Sequence, residues 1–227
     1  MNLCLKRSWL PGLLAGALLL TTASAEDWQS WNGLKISRQL RPELSVFYQP
    51  QVRWRDHADD FYYHEHRLGF RRKECKHFSW GLNYLYGRSQ SAASGNWLDE
   101  HRGELDFVPR TVLGPFILSF RGRLELRSLQ SKPGDVWRGR IMPKLAYPLK
   151  FGEHAFTPYL AHDWFYDFEN DFWNQNRLYA GSVFPLGRIK DASLKLNLFY
   201  MLQSQRKTGG DWGSKHILGS SLAIQVD

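Results

Sequence analysis

Cysteine is almost absent from this chain: its 227 residues hold two, Cys4 and Cys75. Cys4 falls in a leader-like segment, which leaves Cys75 alone in the mature protein and excludes an intramolecular disulfide. Long apolar runs are missing too. The most apolar stretch, residues 9–20, is broken by Pro11 and Gly12 and is shorter than the ~20 residues a membrane helix requires. It follows Lys6 and Arg7 and precedes Ala23-Ser24-Ala25, so residues 1–25 read as a cleaved signal peptide. No cysteine follows the cleavage site, which argues against a lipoprotein. The expected product is an exported chain that starts at Glu26, lacks a helical span, and forms one domain over residues 26–227.

The familiar signatures of chemistry are also missing. There is no G-x-S-x-G element or other nucleophile signature. The one ligand-like spacing, His64-x-His66, sets Glu65 on the opposite strand face with no third ligand in view. No metal and no cofactor are therefore expected. Formal charge is +8 for the full chain and two lower once Lys6 and Arg7 are removed. That excess suits anionic headgroups, or solubility alone. Because nothing resembles a nucleic-acid module, no nucleic-acid partner is expected.

What the chain does contain is alternation. Residues 120–127 place Arg121, Arg123, Glu125 and Arg127 on one face of a strand and Phe120, Gly122, Leu124 and Leu126 on the other. Residues 98–108 repeat the division, with Glu100, Arg102, Glu104 and Asp106 against His101, Gly103, Leu105 and Phe107. Arg138, Arg140 and Lys144 share a phase in residues 137–148, and Asp163 and Asp167 do so in 159–167. Residues 78–87 have an aromatic face and a small, polar one. Residues 174–184 are harder to phase: with Arg177 facing in, the opposite face is only moderately apolar. Pro50 removes a ladder donor and predicts irregular pairing nearby.

Alternation alone fits a soluble periplasmic all-β protein or a membrane barrel. Strand lengths of about ten to twelve residues, aromatics near strand ends (Trp54, Phe61, Tyr86, Trp97, Trp137, Tyr147, Trp173), and short turns alternating with longer loops favour the barrel. The expected fold is all-β: one antiparallel transmembrane β-barrel of about 10–12 strands in the outer membrane of a Gram-negative bacterium. Eleven segments can be counted, against the even numbers usual in bacterial barrels. Ten strands beginning at Glu43 would satisfy that rule, with residues 31–40 as a plug or the partner of an unseen strand.

A charged face costs about 2 to 4 kcal/mol per Arg or Lys at the bilayer midplane, so the charges are assigned to the lumen. The inward set joins Lys35, Arg53, Arg67, Arg71, Arg102, Arg121, Arg123, Arg127, Arg138, Arg140, Lys144, Arg177 and Lys195 to Glu43, Glu65, Glu100, Glu104, Asp106, Glu125, Asp163 and Asp167. Neighbouring strands bring such groups within pairing distance. Three readings stay open: a structural network filling the interior; a narrow anion-preferring pore, with a small anionic solute as partner; and a lipid- or lipopolysaccharide-modifying enzyme using His64, His66 and His101 on the lipid-facing side, with Ser91, Ser94 and Asp99 nearby. The surroundings expected are outer-membrane lipid and lipopolysaccharide, and the assembly machinery that inserts such barrels.

Several motifs occur in a familiar order: the strand of Trp31, Glu100-His101-Arg102, the run from Arg121 to Arg127, Trp137-Arg138-x-Arg140, Asp163-Trp164-Phe165-Tyr166-Asp167, Asn176-Arg177-Leu178-Tyr179-Ala180-Gly181, and Tyr200-Met201-Leu202-Gln203. Together they resemble the outer-membrane β-barrel family catalogued as domain of unknown function 2490. The resemblance covers nearly the whole mature chain and implies a Gram-negative outer-membrane barrel with no catalytic residues to carry over. The ending Ile224-Gln225-Val226-Asp227 departs from the terminal aromatic common in outer-membrane proteins.

Overall fold

A computed structural model describes residues 28–206 and 210–227; the leader segment lies outside the described residues. The described chain is all strand and turn. Its elements are β1 (Trp28–Arg41), β2 (Leu44–Arg55), β3 (Asp60–Cys75), β4 (Phe78–Gln90), β5 (Trp97–Leu113), β6 (Phe116–Leu129), β7 (Asp135–Ala146), β8 (Leu149–Phe151), β9 (His154–Asp167), β10 (Phe172–Ile189), β11 (Ala192–Arg206) and β12 (Trp212–Val226). Sequential neighbours pair antiparallel, with β7 joining β9 directly, and β12 returns to β1. The short β8 folds back on β9 and stands outside this circuit. The result is a closed barrel of eleven strands.

The odd number has a geometric consequence. Hairpin connections reverse direction at each strand, so in an odd-stranded barrel the first and last strands run the same way. β1 and β12 are accordingly parallel, in register from Trp28 opposite His216 to Arg38 opposite Val226. This corrects the ten-strand alternative: residues 31–40 are neither plug nor orphan, but the stave that closes the circle. Around Pro50 the β1–β2 ladder skips the positions between Gly33–Gln51 and Ile36–Tyr48, where a missing N–H is expected to interrupt it.

One end of the barrel carries two-residue turns, at residues 42–43, 76–77, 114–115 and 190–191; the other carries the longer connections at 56–59, 91–96, 130–134 and 168–171. Gly114 adopts φ +58°, which its tight turn requires and which a Cβ would disfavour. Polarity is inverted relative to a water-soluble protein. Leu68, Leu160 and Leu218 are more than half exposed on the outer surface, while Glu125 and Asp163 are fully buried inside.

The wall leaves little room between some strands. A Cβ added at Gly81 would overlap the backbone carbonyl oxygen of Phe70 on β3, whereas one at Gly103 would meet open space. A carbonyl held in a ladder cannot rotate away as a side chain can. Gly81→Ala is therefore expected to lower stability by about 1 to 3 kcal/mol, with Gly103→Ala nearly neutral, as read from urea unfolding of the protein refolded into lipid vesicles.

Candidate functional site

The candidate site is the lumen. Alternation turns every second residue of β5, β6, β7, β9 and β10 inward, and the register then decides which charges meet. Asp106 lies opposite Arg123, which lies opposite Arg140. Arg123 grips Asp106 through both Nε (2.6 Å) and Nη2 (2.8 Å), a bidentate contact. One step toward the longer loops, Glu104 lies opposite Glu125, a like-charge pair that would repel in isolation. Two guanidinium groups resolve it by reaching both carboxylates: Arg123 is 2.7 Å from Glu104 and 3.9 Å from Glu125, and Arg102 is 3.4 Å and 3.7 Å from the same pair.

Glu125 is the hub. It is fully buried, accepts from Arg138 Nε at 2.6 Å and Arg140 Nη1 at 2.9 Å, and has Arg102 and Arg123 within ion-pair distance. Arg140 continues to Asp163, which Arg121 contacts at 3.2 Å. At the loop side, Glu100 takes Arg102 (2.8 Å) and Arg127 (2.6 Å). On the other flank Arg67 links Glu104 (3.1 Å) to Glu65 (3.3 Å), and Glu65 also accepts from Arg53 (3.2 Å) and the Tyr63 hydroxyl (2.7 Å). A continuous chain of alternating charge thus runs across β2, β3, β5, β6, β7 and β9. The structure brings together Glu100, Arg102, Glu104, Asp106, Arg121, Arg123, Glu125, Arg127, Arg138, Arg140 and Asp163.

Arg177 faces inward but sits apart from the ion pairs. It donates to Gln203 at 2.8 Å and lies between the rings of Trp31 and Phe165, 4.9 Å and 4.8 Å from their centroids. Three other sequence assignments need correction. Glu43 is exposed in the β1–β2 turn and Lys195 is exposed near the start of β11, so neither belongs to the enclosed network. Asp167 caps the β9–β10 turn, accepting from the backbone N–H of Glu169 and from the side chains of Asn170 and Asn174. Strand ends share the phase of the strand without sharing its enclosure.

Sequence reading missed the aromatic members of the interior. Trp31, Phe47 and Phe165 are buried in the polar phase of their strands. Trp31 carries the Arg53 guanidinium 3.7 Å above it, Phe47 carries Lys35 at 4.3 Å, and Phe165 carries Arg140 at 4.3 Å. An aromatic residue out of phase in an otherwise polar face was the available signal. Asn83, from the small and polar face of β4, donates to Asp106 at 3.1 Å.

Between the network and the opposite wall lies a cavity of about 650 Å³. Its lining runs from Tyr62, Ser89 and Gln205, near the longer loops, to Lys144, Tyr159 and Asn197 deeper in the barrel. Eleven of the lining residues are Arg or Lys and two, Glu65 and Glu100, are acidic. The imbalance arises because the other carboxylates are enveloped by guanidinium groups, which present their remaining N–H edges to the space.

On the outer surface, His66 and His101 are bonded through Nδ1 to Tyr48 (2.7 Å) and Tyr84 (2.5 Å), and His64 packs edge-on to His66 at a ring separation of 5.4 Å. Asp99 pairs with Arg88 at 2.8 Å and accepts from Tyr86 at 3.1 Å. Ser91 and Ser94 bond within their own loop. The imidazoles are thus partnered by phenols, with the serines set in a separate turn. Among the described residues, no group of three or more His, Cys, Asp or Glu side chains is placed to hold a metal ion.

Fold and interior together define a closed eleven-stranded β-barrel with an apolar exterior and an ion-paired lumen. The chain matches the family described as "Protein of unknown function (DUF2490)" over residues 28–214, and it belongs to that family. No curated protein and no solved structure matches it.

Proposed function

We propose that this chain is an outer-membrane β-barrel of a Gram-negative bacterium, exported with a cleaved signal peptide, whose lumen passes small anions through a narrow, cation-lined path. The observation that carries the reading is the cavity wall, where eleven basic side chains face the space with two carboxylates. An anion entering such a wall exchanges its hydration for fixed guanidinium donors, while a cation meets repulsion. A membrane setting is supported by the apolar exterior and by aromatic clusters near both rims. At the loop end Phe61 packs on Trp97 (5.6 Å between ring centroids), and at the turn end Phe116 packs on Tyr147 (5.1 Å). The ion-paired network keeps one wall rigid beside the path.

Purified full-length mature protein in planar bilayers under a potassium chloride gradient is expected to give small currents whose reversal potential lies toward that of chloride. Absence of both conductance and solute uptake by vesicles would overturn the proposal.

Orientation has its own test. Two-residue turns are expected in the periplasm and longer loops outside. Cys75 is exposed beside the turn at 76–77, and Ser94 lies in the loop at 91–96. In intact cells a bulky polymer-linked maleimide should leave Cys75 unmodified and label a Cys75→Ser, Ser94→Cys variant; the opposite pattern would invert the barrel.

A further inference from the structure

Within the cavity, below the loop-rim Lys215, three cations are short of counter-charge. Lys144 holds its ammonium 3.6 Å from the centroid of the Tyr159 ring and makes no ion pair among the described residues. Arg177 likewise makes no ion pair among them, its Nε going to the Gln203 amide. Arg121 shares Asp163 with Arg140 and turns a second contact to the Met142 sulfur at 3.4 Å, while its Nε is buried with no hydrogen-bond partner.

The register puts these groups on four successive barrel strands. Arg121 of β6 lies opposite Met142 of β7, two residues from Lys144; Lys144 lies opposite Ala161 of β9; and Asp163, two residues further, lies opposite Arg177 of β10. Ala161 is the small residue in this row, and it lines the cavity beside Lys144 and Tyr179. Among the described residues Asp163 is the one carboxylate that pairs with any of the three, and Arg140 already engages it. Cations short of counter-charge, one of them with an unsatisfied buried donor and all lining the same open space, are stabilised by an anion that supplies acceptors.

We propose that Arg121, Lys144 and Arg177 form a binding subsite for a doubly charged oxyanion of the phosphate type. The proposal rests on the anion-lumen reading and specifies the ligand chemistry at one place in it. Two negative charges offset the local excess over Asp163, and several oxygens can accept at once from the Arg121 edge, the Arg177 guanidinium and the Lys144 ammonium, which a single halide cannot do. The Tyr159, Tyr179 and Trp31 rings around the subsite keep it partly shielded from bulk water, which strengthens each contact.

The test uses the full mature chain refolded in detergent, titrated calorimetrically with inorganic phosphate at constant ionic strength and with chloride and nitrate as monoanions. The expected result is saturable phosphate binding, at least tenfold weaker in Lys144→Gln and in Arg177→Gln, retained in Lys144→Arg, and unchanged in Lys215→Gln, which removes a lining cation nearer the loop rim. Retention in Lys144→Arg, together with an unshifted folded band on an unheated gel, separates lost binding from lost folding. No phosphate binding by the wild-type chain, or equal weakening by Lys215→Gln, would overturn the subsite. Bilayer measurement keeps the two readings distinct. An anion-selective chloride current without phosphate binding leaves the path and removes the subsite; phosphate binding without any current does the reverse.

Discussion

Glu125→Ala is expected to destabilise the barrel by about 3 to 5 kcal/mol, the range for removing one partner from a buried ion pair. The carboxylate is fully buried, and four guanidinium groups, those of Arg102, Arg123, Arg138 and Arg140, lie within 4 Å of it. Truncation removes the acceptor that Arg138 and Arg140 share and the charge at the centre of all four, leaving Arg138 without an ion pair among the described residues while Arg140 keeps Asp163, Arg102 keeps Glu100 and Arg123 keeps Asp106. Glu125→Gln keeps the volume and one acceptor but loses the charge, so it should fall between wild type and alanine. Neutralising both sides is a different operation. In Glu125→Leu combined with Arg138→Met, the lost pair is replaced by hydrocarbon, and part of the stability should return. Urea unfolding in lipid vesicles measures each step through the midpoint at constant slope. A midpoint unchanged in Glu125→Ala would show that the network fills the lumen without holding it together.

Trp31→Ala should cost a comparable amount, about 3 to 5 kcal/mol for a buried aromatic. Trp31 belongs to β1, where the barrel closes through its parallel pairing with β12, and it is 4% exposed. It packs against Met201 of β11 and Ile217 of β12, and its indole N–H donates to Gln29 at 3.1 Å. The Arg53 guanidinium stacks on its face, and Arg177 lies nearby. Removing the ring opens a cavity at the seam and strips apolar shielding from two cations at once. Trp31→Phe retains a platform for Arg53 and should lose clearly less. The seam also joins residues from the two ends of the described chain and so bears the largest loop-closure entropy of any strand pair in the barrel. Trp31→Ala should therefore reduce the yield of the folded species, seen as a loss of the fast-migrating band on unheated gels. Equal stability and yield in the alanine variant would show that closure rests on the backbone ladder alone.

Much of the interior was legible because strand periodicity is local. A residue and its second neighbour share a face whatever the rest of the chain does. Arg121, Arg123, Glu125 and Arg127 are therefore inward by the same rule that makes Leu124 and Leu126 outward, and the rule carried through β5, β7 and β9. It failed at strand ends, where phase persists but enclosure stops, as Glu43 and Lys195 show. It also passed over Trp31, Phe47 and Phe165, because an aromatic residue suits either environment and its role as a seat for a cation depends on a neighbouring strand. Arg177 was ambiguous for a related reason: its strand has Ala180, Ser182 and Asn176 on the outer side, so the contrast between faces is weak.

By itself, the sequence determined that this protein would be a two-faced sheet with its charges on one side, since both follow from spacing along the chain. Tertiary structure decided the number eleven, the parallel seam, and the partner of every charge. Sliding a strand by two residues preserves which face each side chain occupies while exchanging all of its cross-strand neighbours. Faces are thus written locally, but pairing is not. Only register across the closed barrel makes Glu125 the hub of four arginines and leaves Arg121, Lys144 and Arg177 short of counter-charge.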